Sequence, residues 1–386
     1  MLIRLSNTPR DYAWGSPTLI AELEGREPGG GPEAEVWFGD HPGSPSVVHD
    51  GSGRTLDVWL AAEGEASDSP TKLPYLLKLL AAGAPLSIQV HPSKAQAEEG
   101  FAREEAAGVP RDAADRNYRD DNHKPELIVA VSDRFVALAG LREIEATREL
   151  VGSLGEGAAA LAEHLSGPDA ATALRGTIGW LLSGHADAEV ASIITAAAAA
   201  SSSTYAEELE LTRRLAEAYP GDAGVVVALL MNLVTLRAGE AIFVPAGALH
   251  AYVDGLGVEL MAASDNVLRG GLTPKHIDVT ELLKLLDSTP SDPPRLYPEP
   301  LEGGGELFDP GVPDFALVRV DVDGAVVPLR GVSIALVTRG TLRLEGASGE
   351  ALELTPGQAA FVTADETPLT VSGAGELFVA MPGVAG

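Results

Sequence analysis

Three stretches of this chain carry side chains able to hold a metal ion and move a proton beside it. In LSIQVHPSK, residues 86–94, Gln89 and His91 are two positions apart. Alternate residues of a strand share a face, so both side chains would enter the same space. In DNHKPELIVAVS, residues 121–132, Glu126 opens an apolar run. A carboxylate there needs a partner or an ion to stay inside. In AIFVPAGALHAYVDG, residues 241–255, a strand stops at Pro245 and Gly247 supplies a turn. His250 follows, with Tyr252 on the same strand face. Gln89, His91, Glu126 and His250 form a mixed nitrogen and oxygen set suited to Zn²⁺ or another divalent ion. The chain has no cysteine, so a thiolate site is excluded.

Acid–base and cationic groups cluster around the same stretches. His123, Lys124, Glu259 and Asp265 are all candidates for the base. Lys124 is flanked by His123 and Glu126. Glu259 sits among apolar residues in GVELMAASDN, where it needs a partner. Asp265 can equally form a turn. Arg269 in NVLRGG precedes two glycines that leave the backbone room near a ligand. Its guanidinium can stabilise or clamp an oxyanion. Lys78 is the one cation in YLLKLLAA, and its head must reach water or an anion. Ser87 would share a strand face with Gln89 and His91. Lys275 in LTPKH lies just past a turn.

The order strand, Pro-x-Gly-x-x-His, strand resembles a motif of cupins, small β-barrels that hold a metal on their inner wall. SIQVHP, HKPE, PAGALHAY and ASDNVLRGGLTPK together resemble the four signatures of the type I phosphomannose isomerase family. YAWGS, AEVWFGDHP, LPYLLKLL and PGDAGVVVALLMN fit as well, in the family order from residue 12 to about residue 276. The resemblance implies an aldose–ketose isomerase that interconverts mannose 6-phosphate and fructose 6-phosphate. One proton moves between C2 and C1 through an enediol, whose negative charge a divalent metal stabilises. It implies one Zn²⁺ per chain on Gln89, His91, Glu126 and His250, and a monomer. It also implies substrate-facing roles for Lys78, Ser87, Tyr252 and Lys275, with Arg269 the leading catalytic cation. A cupin oxygenase on Fe or Cu is a rival, though it would want a third histidine where Gln89 stands. A non-catalytic sugar-phosphate sensor is the other.

These groups must be positioned by the rest of a 386-residue chain, long enough for about two or three domains. The expected class is mainly β with a helical insertion: two cupin-like jelly-roll units, one bearing the metal and one degenerate. Residues 1–140 plus 231–300 are expected to form the catalytic unit. Residues 141–230, with apolar positions at helical spacing and alanine runs, are the insertion. Residues 305–386 form the second unit. A repeat supports this: LRAGEAIFVPAGALHAYVDGLGVEL aligns without gaps to LTPGQAAFVTADETPLTVSGAGELF, 118 residues on. At that offset His250 falls on Pro368, so the second unit has lost the metal site. Trp14, Glu35 and Trp37 read as packing residues, His164 and His185 as helix-face residues, and the charged stretch 93–122 as a rim or lid.

The formal charge of −29 argues against nucleic acid or an anionic membrane as a partner. It also requires local cations if a sugar phosphate is to bind. The opening MLIRLSNTPRDYAWGS has no signal core and no apolar run spans a bilayer, so a cytoplasmic enzyme is expected.

Overall fold

The strand His250–Ala262 is the spine of the first of two antiparallel sheets. The computed structural model describes residues 1–67 and 69–384. Along one edge His250–Ala262 pairs with Tyr75–Ala82, from Gly255 opposite Ala82 to Ala262 opposite Tyr75. It also pairs with Glu126–Ala130 and with Phe135–Leu141. A bulge between Tyr252 and Asp254 lets one long strand serve both sets of partners. Nearly every residue of this strand is buried, because both sheet faces are covered.

The second sheet is built on Ser333–Glu345 and Leu369–Met381, which pair from Ile334–Ala380 to Glu345–Thr370. The two sheets share one core. Leu77, Leu79, Leu127, Val129, Val258 and Leu260 meet Phe308, Phe315, Ile334, Phe361 and Phe378 between them. Tyr75 reaches across and donates to the Val332 and Ala380 carbonyls at 3.0 and 3.3 Å. Each such buried aliphatic side chain stabilises the packing by about 1.5–3 kcal/mol. The second sheet is therefore a rigid backing for the strands that carry the site.

One boundary differs from the expected division. Leu2–Ser6 does not join the first sheet but pairs with Ala359–Val362 in the second, from Leu2 opposite Val362 to Leu5 opposite Ala359. Its partly alternating burial matches a sheet with one face on the core. Nothing local in LIRLS says which sheet it joins.

Six helices, from Ile144–Ser153 to Gly224–Leu229, fill the stretch expected to be helical. Their apolar faces pack on Ile88, Val90, Val136, Leu138 and Leu249, the outer side of the metal-bearing strands. His164 stacks on Trp180, as a helix-face residue can. The charged stretch after Pro92 forms helix Lys94–Ala106, opened by a reciprocal Ser93–Gln96 cap. Spans of the two sheets follow the sequence repeat. Ala241–Val244 and Ala359–Val362 are 118 residues apart, and Gly255 and Gly373 both take positive φ, 114° and 108°.

Candidate active site

His91, Glu126 and His250 converge at the buried end of the spine strand, their ligand atoms all within 4.8 Å of one another. His91 follows the short strand Gln89–Val90, and the Gly247 amide donates to its carbonyl at 2.9 Å. Gly247 has φ 82°, which lets the chain turn back after Pro245 and start a strand at His250. Glu126 enters from its own strand, opposite Val244 and Met261.

The hydrogen bonds assign the tautomers. His91 Nδ1 lies 2.8 Å from the Asn266 carbonyl, and His250 Nδ1 lies 3.2 Å from the Ala248 carbonyl. A carbonyl only accepts, so both Nδ1 atoms carry the proton. Both Nε2 lone pairs then point at Glu126, 3.2 Å from Oε1 and 3.2 Å from Oε2. His91 Nε2 is fully buried and has no hydrogen-bond partner. Burial pushes the His91 imidazole down to about 4, so it is neutral at pH 7. A neutral His91 imidazole aiming its lone pair at a carboxylate is unfavourable unless a cation lies between them. The donor set fits a divalent ion such as Zn²⁺. Burial opposes the Glu126 charge, but Lys124, 3.0 Å from Oε1, holds that carboxyl well below its usual range.

Gln89 stands opposite His250 on one side and Arg269 on the other. Residues directly across a ladder share a face, so Arg269, Gln89 and His250 form one row across three strands. Gln89 Nε2 contacts Ser87 Oγ at 3.4 Å. This row opens on a cleft of about 560 Å³, whose walls include Lys78, Ser87, Gln89, Lys124, Asp265, Arg269 and Lys275.

The cations of the cleft divide by partner. Lys78 is held by Glu259 at 2.8 Å and Glu35 at 3.5 Å. Burial works against its charge, but these carboxylates outweigh it and hold the ammonium above its usual range. Lys124 is matched by Glu126, and Arg116 by Glu104 and Glu105. Arg119, Arg269 and Lys275 make no ion pair with a carboxylate among the described residues. Burial and the Arg119 charge lower Arg269, while burial and both arginines lower Lys275. These three cations give the cleft a local positive charge in an otherwise acidic protein.

Four expectations change here. Lys78 is not a free phosphate anchor, because two buried carboxylates neutralise it. Glu259 is taken up by that same pair and does not line the cleft. Tyr252 points into the protein, its hydroxyl donating toward Glu126 Oε2 at 3.4 Å, and it does not line the cleft. His123 turns away, its Nε2 2.8 Å from Asp314 Oδ2 on the second sheet's side of the molecule. His123→Ala is therefore expected to keep kcat/KM within about threefold while losing about 1–2 kcal/mol of unfolding free energy, the worth of one charged hydrogen bond. Urea titration beside a rate assay checks both. Asp265 lines the cleft, paired with His41 at 3.2 Å.

Sequence reasoning missed Arg119 and Asn266. Arg119 lies in a polar loop with no periodicity. It is placed by buried Asn266, whose Oδ1 accepts from the Arg119 amide at 2.7 Å and whose carbonyl accepts from His91. Glu35 and Trp37 are buried as expected, but they also line the cleft. Trp37 Nε1 donates to Glu35 Oε2 at 2.8 Å.

Comparison with known proteins agrees with this geometry. Residues 2–144 match the family model of the phosphomannose isomerase type I catalytic domain. The mannose-6-phosphate isomerase of Escherichia coli is 39% identical, with 97% of this chain and 98% of the relative covered. The human enzyme is 32% identical, with 88% and 87% covered. A crystal structure of mannose 6-phosphate isomerase from Salmonella typhimurium, bound to substrate and a zinc atom, superposes with a TM-score of 0.90. It is 35% identical and covers 99% of this chain and 100% of its own. Its cupin fold is that of the two sheets described above. Likeness of this extent, in sequence and in fold, means that the chain belongs to the type I phosphomannose isomerase family.

Proposed function

We propose that this protein is a zinc-dependent isomerase that interconverts mannose 6-phosphate and fructose 6-phosphate. The observation that carries the reading is a buried two-histidine, one-carboxylate group whose neighbours Gln89 and Lys124 line a cleft, together with three cleft cations that have no carboxylate partner among the described residues. His91, Glu126 and His250 would hold the zinc, with Gln89 the fourth ligand from the same strand face. Bound there, the ion supplies Lewis-acid stabilisation of charge developing on the sugar oxygens.

The chain's own residues do the rest. Arg119 and Lys275 bind the phosphate, and Ser87 donates to a phosphate or sugar oxygen. Arg269 faces the enediol with a forked donor. Of the four candidate bases, Lys124 and Asp265 line the cleft. Lys124 lies closest to the ligand group, so Lys124 is our choice of proton carrier: as the neutral amine, with Glu126 engaged as a metal ligand, it would take the proton from one carbon and return it to the other. Asp265, 3.2 Å from the His41 ring, orients the rim.

A monomer working in the cytoplasm suits a cysteine-free chain that provides every site residue itself. No helix among the described residues is long and apolar enough to cross a membrane. The 118-residue correspondence supports reading residues 305–386 as a second cupin-like unit without a metal, a backing for the first.

The test is direct. Protein loaded with Zn²⁺ should convert mannose 6-phosphate to fructose 6-phosphate in a coupled assay. A chelator should abolish turnover and added Zn²⁺ restore it. No turnover at full metal occupancy overturns the reading.

A further inference from the structure

We propose that Asp222, contributed by the helical insertion, is a positioning residue that holds the loop Arg269–Lys275 in the shape that grips the sugar phosphate. The inference rests on the phosphate-binding role given to that loop above.

Asp222 lies in YPGDAG, between helices Ala206–Ala218 and Gly224–Leu229. Its carboxylate does not enter an ion pair among the described residues. Instead it accepts three backbone amides. Oδ1 takes Gly224 N at 2.7 Å and Leu272 N at 3.0 Å, while Oδ2 takes Thr273 N at 3.1 Å. Two of those amides belong to the cation-bearing loop. Leu272 is the one non-glycine residue among the described residues with positive φ, 54°. A leucine stays in that left-handed conformation only when its surroundings hold it there. The backbones also touch: a Cβ on Gly271 would lie 2.3 Å from Gly224 Cα, and one on Gly224 would lie 2.4 Å from Leu272 N. Tyr219, at the start of the same turn, lines the cleft and donates to the Pro85 carbonyl at 2.7 Å.

These contacts clamp the loop from outside the reaction centre. Arg269 and Lys275 sit at its two ends, both without carboxylate partners among the described residues, so their separation depends on the backbone between them. Mutual repulsion among Arg119, Arg269 and Lys275 would otherwise spread them. The charge of Asp222 itself works the other way, since a nearby carboxylate repels a phosphate. Removing it for charge alone should tighten binding, whereas loss of position should weaken it. The two effects therefore differ in sign.

In the zinc-loaded protein, Asp222→Ala should raise KM for mannose 6-phosphate and the inhibition constant of inorganic phosphate by about tenfold each, the usual lower cost of losing a supporting contact. Metal content should stay the same and kcat should fall by about threefold or less. Adding Leu272→Gly to Asp222→Ala should recover part of the KM, because glycine takes positive φ without the clamp. An Asp222→Ala protein with unchanged or lowered KM overturns the proposal. Should Asp222→Ala not fold, Asp222→Asn keeps one acceptor oxygen and should raise KM by about threefold; a wild-type KM would overturn the proposal. Hydrogen exchange on the unaltered protein needs no variant: the Leu272 and Thr273 amides should be protected, and fast exchange overturns the clamp. If the unaltered protein failed to turn over hexose phosphates, the isomerase reading would fall, while phosphate affinity and amide exchange would still decide the role of Asp222.

Discussion

Glu126→Ala should strip the protein of its metal and lower kcat/KM by about 10³-fold or more, since a bound metal supplies several kcal/mol of transition-state stabilisation. Three groups depend on that carboxylate. His91 and His250 each face one of its oxygens at 3.2 Å, and Lys124 lies 3.0 Å from Oε1. Taking it away leaves the two imidazoles and the Gln89 amide, a set without the anionic donor that balances the ion's charge. It also leaves the Lys124 ammonium, itself largely buried, without its counter-charge. Breaking such a pair costs about 3–5 kcal/mol, so a lower denaturation midpoint should accompany the loss. Glu126→Gln is the milder variant, because it keeps the volume and one acceptor. Elemental analysis of purified protein separates the outcomes. A Glu126→Ala protein that still holds one metal ion per chain and turns over would show that the ion sits elsewhere.

The second large effect is expected at Arg269. Arg269→Ala should keep its metal yet lose about 10²–10³-fold in kcat, the usual cost of removing a preorganised donor from developing negative charge. The side chain is half-buried, has no carboxylate partner among the described residues, and stands in register with Gln89 and through it with His250. An unpaired guanidinium in that setting lacks the compensation a structural arginine normally has. Arg269→Lys should fall between the two, because an ammonium keeps the charge but not the fork. Kinetics distinguish the possible roles. A fall in kcat with little change in KM means the group acts in the transition state. A rise in KM alone would make it a second phosphate anchor. Full activity in Arg269→Ala would remove it from the mechanism.

Which side chains share a face was legible from local spacing, because strand periodicity decides it. Gln89, two positions before His91, and the Pro245–Gly247 turn before His250 needed no tertiary information. The 118-residue correspondence was visible for a similar reason, since glycine turns and apolar runs leave a periodic trace. The partners of the charges were not. Lys78 and Glu259 looked like a phosphate anchor and a base until they met, 181 residues apart in the chain. His123 looked like a proton carrier until Asp314, 191 residues away, took its imidazole. Arg119 had no local signature, and Asn266 sets its place from another strand end. Spacing governs where a side chain points within its own element, but whether a charge ends up free or neutralised depends on contacts between elements far apart in the chain. In this protein those contacts leave Arg119, Arg269 and Lys275 lining the cleft without carboxylate partners among the described residues.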